Sequence, residues 1–215
     1  MRSRLSIPFL CIAIAFLVLN VFSPVLRADF VLWDDDINIY KNPHLGGLDS
    51  ARLVWMFTDF SYSRVYNPMA WLTWSAVYEC FGLEPFGFHL LNLLLHAANS
   101  VLVFLVLRKV LRLFGPKEGA AEVSPALEWS AALAAVIWAL HPLQVEPVAW
   151  ATAIGYVQGL FFLLLSVFSY LHAIERNRPG WRWFGVGCFV ASLLTYPIAL
   201  GAPGPARPAP RSAGC

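Results

Sequence analysis

Three carboxylates stand side by side at Asp34, Asp35 and Asp36. At that spacing they repel one another, and at least one is pushed toward its protonated form unless a cation or hydrogen bonds intervene. Such a group suits two kinds of chemistry. One is general-base catalysis, in which a carboxylate takes the proton of an attacking hydroxyl. The other is coordination of a hard divalent cation through oxygen ligands. A solvated acidic run that caps the next segment is the plain alternative, and on residue types alone the two weigh equally.

Two further groups could join the aspartates. His89, Asn92, His96 and Asn99 follow spacings of three, four and three, which places them on one narrow helix face with Ser100 beside them. The rest of that segment is Leu, Val, Ala and Phe. Polar residues in such a setting face a bundle interior or a wet cavity, where hydrogen bonding between helices is their commoner use. His89 is nearest the outer surface in the expected topology, and His89 and Asn92, together with His141 and Glu146 of the next group, are the candidate substrate-binding residues. The third group is His141-Pro142-Leu143-Gln144-Val145-Glu146-Pro147, a short connection that brings His141 and Glu146 to the same end. Its two prolines also give a structural reason for a turn. Asp35, Asp36 and Glu146 are the candidate ligands for a divalent metal ion, the one cofactor these residues suggest.

The elements that must carry these residues are membrane helices. Of 215 residues, 59% are hydrophobic and 13% charged, against roughly 25% charged in soluble domains. Five runs lack Asp, Glu, Lys and Arg: 5–26, 85–107, 129–145, 147–174 and 183–200. Each approaches or exceeds the length that crosses a bilayer, where only hydrogen-bonded helices satisfy the backbone. The expected fold is an all-α integral membrane protein of about five transmembrane helices with a long external first loop, 27–84. That loop holds all six aspartates and carries short interfacial helices, one of them over 68–81 with an aromatic face. The first run reads as an uncleaved span, because it is long and has no small residue at the required place before a cut. With a cytoplasmic N-terminus, nine Lys and Arg fall inside and six outside, the inner ones close to span ends. A net charge of +2 gives no reason to expect nucleic acid, and the four scattered cysteines form neither a disulfide framework nor a zinc site.

Several motifs in register carry a resemblance. They are Phe30-Val31-Leu32-Trp33-Asp34-Asp35-Asp36 with Asn42-Pro43-His44-Leu45, then Tyr66-Asn67-Pro68-Met69-Ala70-Trp71-Leu72-Thr73. Next come Phe81-Gly82-Leu83-Glu84-Pro85-Phe86-Gly87-Phe88-His89, running on to His96, and then Ala139-Leu140-His141-Pro142 with Val145-Glu146-Pro147-Val148-Ala149-Trp150. Together they resemble the membrane half of the tetratricopeptide-repeat glycosyltransferase-like proteins, which are similar to the wider GT-C superfamily that includes the protein O-mannosyltransferases. The resemblance covers about residues 10–197. It implies a polyprenyl- or dolichyl-phosphate sugar donor, a protein or glycan hydroxyl acceptor, and transfer at the external face of the membrane. The family's paired acids fall on Asp34 and Asp35, as base or metal-site acid, and Asp36 is an extra acid. Glu146 and His89 would support the phosphate or the metal.

The departures bear on the expectation. Many bacterial relatives carry an Arg-Lys-Asp step after the residue matching Trp150, where this chain has Ile154-Gly155-Tyr156. The family usually continues into further spans and helical repeats. Residues 1–200 are therefore expected to form a partial GT-C-like transmembrane domain, and 201–215 a disordered low-complexity tail. A bacterial inner membrane is the preferred setting. The competing reading is a non-catalytic or truncated membrane relative that acts as a partner or scaffold. A transporter is less favoured, since no internal repeat is found.

Overall fold

The computed structural model describes residues 6–62, 66–114 and 125–197, and these residues contain helices and turns with no strand. The expected tail, 201–215, lies outside them. The first helix, α1 (Ser6–Phe22), continues through a tighter turn, Ser23–Arg27, to make an apolar rod of 21 residues, Ile7–Arg27. Its buried residues are Leu10, Ile14, Val18 and Phe22, one stripe at a spacing of four. Phe9, Ile12 and Phe16 point away from the bundle. A helix apolar on its outer side as well as its inner one suits a lipid solvent.

The first loop contains two helices. The shorter, α2 (Ser50–Thr58), is capped by Asp49, whose side chain accepts the Arg52 N–H at 2.9 Å. The other, α3 (Pro68–Phe81), starts on a proline that has no N–H to leave unpaired and ends at Gly82, where φ is +62°. Its bounds are those expected from the sequence. Its aromatic face is turned to protein, however, with Trp71 and Trp74 buried. Trp55, Tyr62, Trp71 and Trp74 form a run of edge-to-face contacts with ring centroids 5.1–5.7 Å apart.

Beyond the Gly82 turn runs α4 (Pro85–Phe114), 30 residues long and the centre of the bundle. It packs against α1, α3, α5 (Pro125–Ala139) and α7 (Ile154–Arg176). Ala131, Ala132 and Ala135 of α5 let that helix approach closely against Leu10, Ile14 and Phe104. After α7 the chain reverses at Asn177, in the left-handed region, into α8 (Gly180–Thr195).

The five expected runs thus map onto helices, but not all are straight spans. Three rods are long and apolar enough to cross a membrane: Ile7–Arg27, Pro85–Phe114 and Ala151–Arg176. The third run bends by 59° between Pro125–Ala139 and Pro142–Ala149, and makes a fourth crossing only if the bent pair counts as one. Proline at 142 lacks the N–H that would continue α5, so the chain passes through a tight turn and the short helix α6 (Val145–Ala149). The 16 described residues of α8 fall just short of the roughly 17–25 that a crossing needs.

Breaks of this kind leave carbonyl oxygens without helical partners, and in hydrocarbon each such group costs several kcal/mol. The polar stripe of α4 reaches carbonyls at both breaks and one inside α7. His96 Nε2 lies 3.0 Å from the Ala139 carbonyl at the end of α5, so this nitrogen carries the proton. Asn92 Nδ2 donates to the Trp150 carbonyl at 2.8 Å, and Asn99 Nδ2 donates to the Val157 carbonyl at 2.8 Å. Ser100 turns back onto the His96 carbonyl. At the other end of α4, Arg108 pairs with Glu128 of α5 at 2.8 Å, and Lys109 pairs with Glu175 of α7.

Replacing Asn92 with Leu should lower stability by about 0.5–1.5 kcal/mol, the net worth of one hydrogen bond, since the Trp150 carbonyl keeps its bond from the Ala153 N–H. Unfolding in detergent measures it, and an unchanged midpoint would show that this bond contributes nothing.

Candidate functional site

The three aspartates have separate fates. Asp35 is 1% exposed, and both carboxylate oxygens are committed to backbone. One accepts the Val31 N–H at 3.0 Å, and the other accepts the Thr152 N–H at 3.0 Å. This carboxylate therefore staples the start of the first loop to the lead-in of α7. Asp36 turns outward to Lys41, 3.0 Å away, and that hydrogen bond holds its carboxyl below the usual carboxylate range. Asp34 is half-buried and makes no side-chain hydrogen bond or ion pair among the described residues. The turn Asp36–Tyr40, with wide π-type spacing, follows it.

Asp34 lines a cavity of about 410 Å³, within the usual range for small-molecule sites. Asn38 and Tyr62 of the first loop line it, with Asn67 just before α3 and Trp74 within that helix. Trp150, Thr152, Gly155 and Tyr156, from the link into α7 and its first turn, line it as well. Tyr196, just past α8, also lines it, its ring centroid 4.8 Å from that of Tyr156 and tilted by 50°. A Cβ added at Gly155 would come within 3.3 Å of the Tyr196 ring, which would have to give by a few tenths of an ångström. Asp34 and Glu146 both lie within electrostatic reach of the Tyr156 hydroxyl.

Four polar atoms of the cavity residues are buried without a hydrogen-bond partner among the described residues: Asn67 Oδ1, Trp74 Nε1, Trp150 Nε1 and Thr152 Oγ1. A buried polar group left unpaired costs about 1–3 kcal/mol, and these four atoms are covered by the protein around them.

The remaining candidates are distributed around this cavity. His89 is sealed beneath the loop, beside the Ala28–Asp29 backbone and within electrostatic reach of Asp35, with neither ring nitrogen in a well-formed hydrogen bond. Asn92 is buried against the Trp150 carbonyl, where it supports the cavity wall. His141 is exposed, and its Nδ1 accepts the Leu143 N–H at 3.2 Å, capping the turn. Glu146 is also exposed and lines a neighbouring apolar groove of about 350 Å³ with Val31, Trp33 and Trp150. The ligand set expected from Asp35, Asp36 and Glu146 is not assembled. No three His, Cys, Asp or Glu side chains converge to hold a metal among the described residues. Asp35 instead takes one backbone N–H on each oxygen, and Asp36 pairs with Lys41 through one oxygen.

Sequence reasoning passed over Asn67, Trp74, Thr152, Tyr156 and Tyr196 as site residues. Asn67 sits inside one of the motifs, and Thr152 and Tyr156 were polar positions in an apolar run, which was the available signal. Tyr196 offered none.

Fold and site define a class: a multi-pass helical membrane protein with a carboxylate-bearing polar cavity at one end of its bundle. The family follows from its relatives. Protein O-mannosyl-transferase TMTC4 of Homo sapiens is 33% identical over 172 residues, 74% of this chain and 22% of its own length. Protein O-mannosyl-transferase TMTC2 of Homo sapiens is 31% identical over 144 residues, covering 65% of this chain and 16% of its own. Protein O-mannosyl-transferase Tmtc3 of Drosophila melanogaster is 30% identical over 141 residues, covering 61% and 15%. The chain belongs to this protein O-mannosyl-transferase-like family, and it spans about a fifth of the length of the curated relatives it matches. No protein-family model matches it, and no solved structure is significantly similar. These relatives are animal proteins and lend no support to the preference for a bacterial membrane.

Asp35→Asn should reduce stability and any activity together, because an amide NH₂ would face one of the two backbone N–H donors; a loss of about 1–3 kcal/mol is expected. Thermal unfolding in micelles checks this, and an unchanged midpoint would refute the staple.

The loop also has a definite acid response. Backbone N–H groups of Arg52 and Tyr62 hold Asp49 and Asp59 low, as Lys41 holds Asp36. Folded values below the unfolded ones mean full stabilisation above about pH 4 and loss as pH falls through the folded values. Near-ultraviolet circular dichroism of the His44–Trp55–Tyr62 ring cluster should fade only on that acid side.

Proposed function

We propose that this chain carries the catalytic carboxylate of a membrane glycosyltransferase. The enzyme moves a sugar from a polyprenyl- or dolichyl-phosphate donor to a protein hydroxyl at the external face. The observation that carries the reading is that, among the described residues, Asp34 alone of the triplet has no hydrogen-bond or ion-pair partner for its carboxylate, and that Asp34 lines the cavity. The names of the relatives supply the reaction class.

In this reading Asp34 accepts the proton of the acceptor hydroxyl as its oxygen bonds to the anomeric carbon. The bond from that carbon to the phosphate oxygen breaks, and the phosphate departs with the electron pair. A single displacement inverts the anomeric configuration. Asp35 is a positioning residue that holds Asp34 against the α7 lead-in. His89 and Asn92 support that arrangement from below, and His141 and Glu146 flank the way in from the neighbouring groove. The N-terminus is cytoplasmic and the first loop external, as the distribution of Lys and Arg favours.

Asp34→Asn in the full native product should lower transfer of labelled sugar from a polyprenyl-phosphate hexose to an acceptor peptide by about 10²–10⁴-fold. Asp36→Asn should change it little. Equal activity in Asp34→Asn and the parent would remove the base from this reading and shift the weight to a non-catalytic role.

A further inference from the structure

We infer that the end of the bundle opposite the Asp34 cavity binds the phosphate headgroup of an anionic phospholipid, through Arg112, Arg176, Arg178 and Arg182. Arg112 stands in the last turn of α4, Arg176 ends α7, Arg178 lies in the turn after it and Arg182 is in the first turn of α8. The 23 residues of α7 put about 33 Å between this end and the cavity. The surface is a separate one and stands whether or not the chain transfers sugar.

Positive charge is left over here. The two described acids of this end are spent on α4, Glu128 on Arg108 and Glu175 on Lys109. Lys109 and Glu128 are buried, so these pairs join helices and face no partner. Arg112, Arg176, Arg178 and Arg182 are exposed, and none has a hydrogen-bond or ion-pair partner for its side chain among the described residues. They are also gathered. Arg112 and Arg176 both lie within electrostatic reach of the Glu175 carboxylate, and Arg176 and Arg178 within reach of the His172 ring. The turn between the helices is fixed by its backbone: Asn177 takes a φ of +50°, the Arg178 N–H returns to the Ala173 carbonyl at 3.3 Å, and the Arg182 N–H bonds the Pro179 carbonyl at 3.0 Å. Trp181 braces it, with its ring centroid 4.7 Å from that of His172. Like charges held near one another repel, and an anion among them relieves the repulsion.

The surface beside the cations separates a lipid from a soluble anion. Trp183 is 76% exposed, and with Val186 and Val190 it begins an exposed apolar stripe at spacings of three and four along α8. Val110 and Leu111 are exposed just before Arg112 on α4. Indoles at the end of an apolar helix sit at headgroup depth. The arginines therefore stand where hydrocarbon gives way to headgroups. A ligand that fits has an anionic group at their level and hydrocarbon along the stripe, and a phospholipid of net negative charge has both. Guanidinium offers paired N–H groups to two phosphate oxygens at once. A zwitterionic phospholipid also brings a cation, which four unpaired arginines repel. An acidic peptide would leave Trp183 and Val186 uncovered.

Microscale thermophoresis of the full chain in nonionic detergent micelles tests this, with dioctanoyl phosphatidylglycerol, dioctanoyl phosphatidylcholine and inorganic phosphate as separate probes. Phosphatidylglycerol should bind saturably and phosphatidylcholine should not. Phosphate at the same concentration should not displace the lipid. Arg176→Gln and Arg178→Gln should each weaken phosphatidylglycerol binding about five-fold, the worth of one cation at a membrane surface. Arg27→Gln, which removes an exposed cation at the cavity end, should leave it unchanged. Raising salt from about 0.05 to about 0.5 M should weaken binding to the parent, a measurement that needs no variant. Phosphatidylcholine that binds as tightly, phosphate that displaces the lipid, binding unmoved by salt, or arginine variants that bind like the parent would each overturn the assignment. An equal loss in Arg27→Gln would overturn it too, since the attraction would then belong to the whole chain and not to this end.

Discussion

A chain in lipid has no water to turn to where its helices break, so each break must be met from within the bundle. The run after α5 breaks twice, once at the 59° bend and again at Trp150–Ala151 before α7 begins. Both breaks lie against α4, and the Asn and His side chains of α4 take up carbonyls at both. The irregular backbone there is what allows Trp150 and Thr152 to form a cavity wall. A continuous helix would have passed the same residues by with its N–H and C=O groups turned inward on itself.

The site is therefore layered. Polar side chains of α4 hold the broken backbone, and the broken backbone presents the Thr152 N–H to Asp35. Asp35 in turn fixes the loop on which Asp34 stands. Substitutions in α4 that never touch the cavity would reach it through these two steps. The aromatic run from Trp55 to Trp74 gives the loop a second anchor that does not depend on charge.

Much of this was legible in the sequence. The bounds of α3 follow from Asn67-Pro68 at one end and Gly82 at the other. The stripe of α4 follows from its spacing, and hydrogen bonding between helices, the commoner use of such residues, is what Asn92, His96 and Asn99 do. The division of labour among Asp34, Asp35 and Asp36 was not legible. It depends on a turn of unusual spacing and on an N–H that lies 117 residues away. The metal set was read from carboxylates that share an end of the bundle; among the described residues no three such side chains converge. Trp74 and Trp71 looked like interface anchors because indoles often are, but their neighbours are other rings.

The partner of Asp35 has a consequence for timing. The loop is synthesised and delivered early, while Thr152 emerges 117 residues later. At roughly 5–20 residues per second, ribosomal elongation separates the two by some seconds. During that interval the aspartate triplet exists without the wall it will face, its middle member hydrated and mobile. The cavity is thus a late product of biogenesis, sealed only when the stretch before α7 threads into place, and nascent chains halted earlier would carry the acids but no enclosure around them.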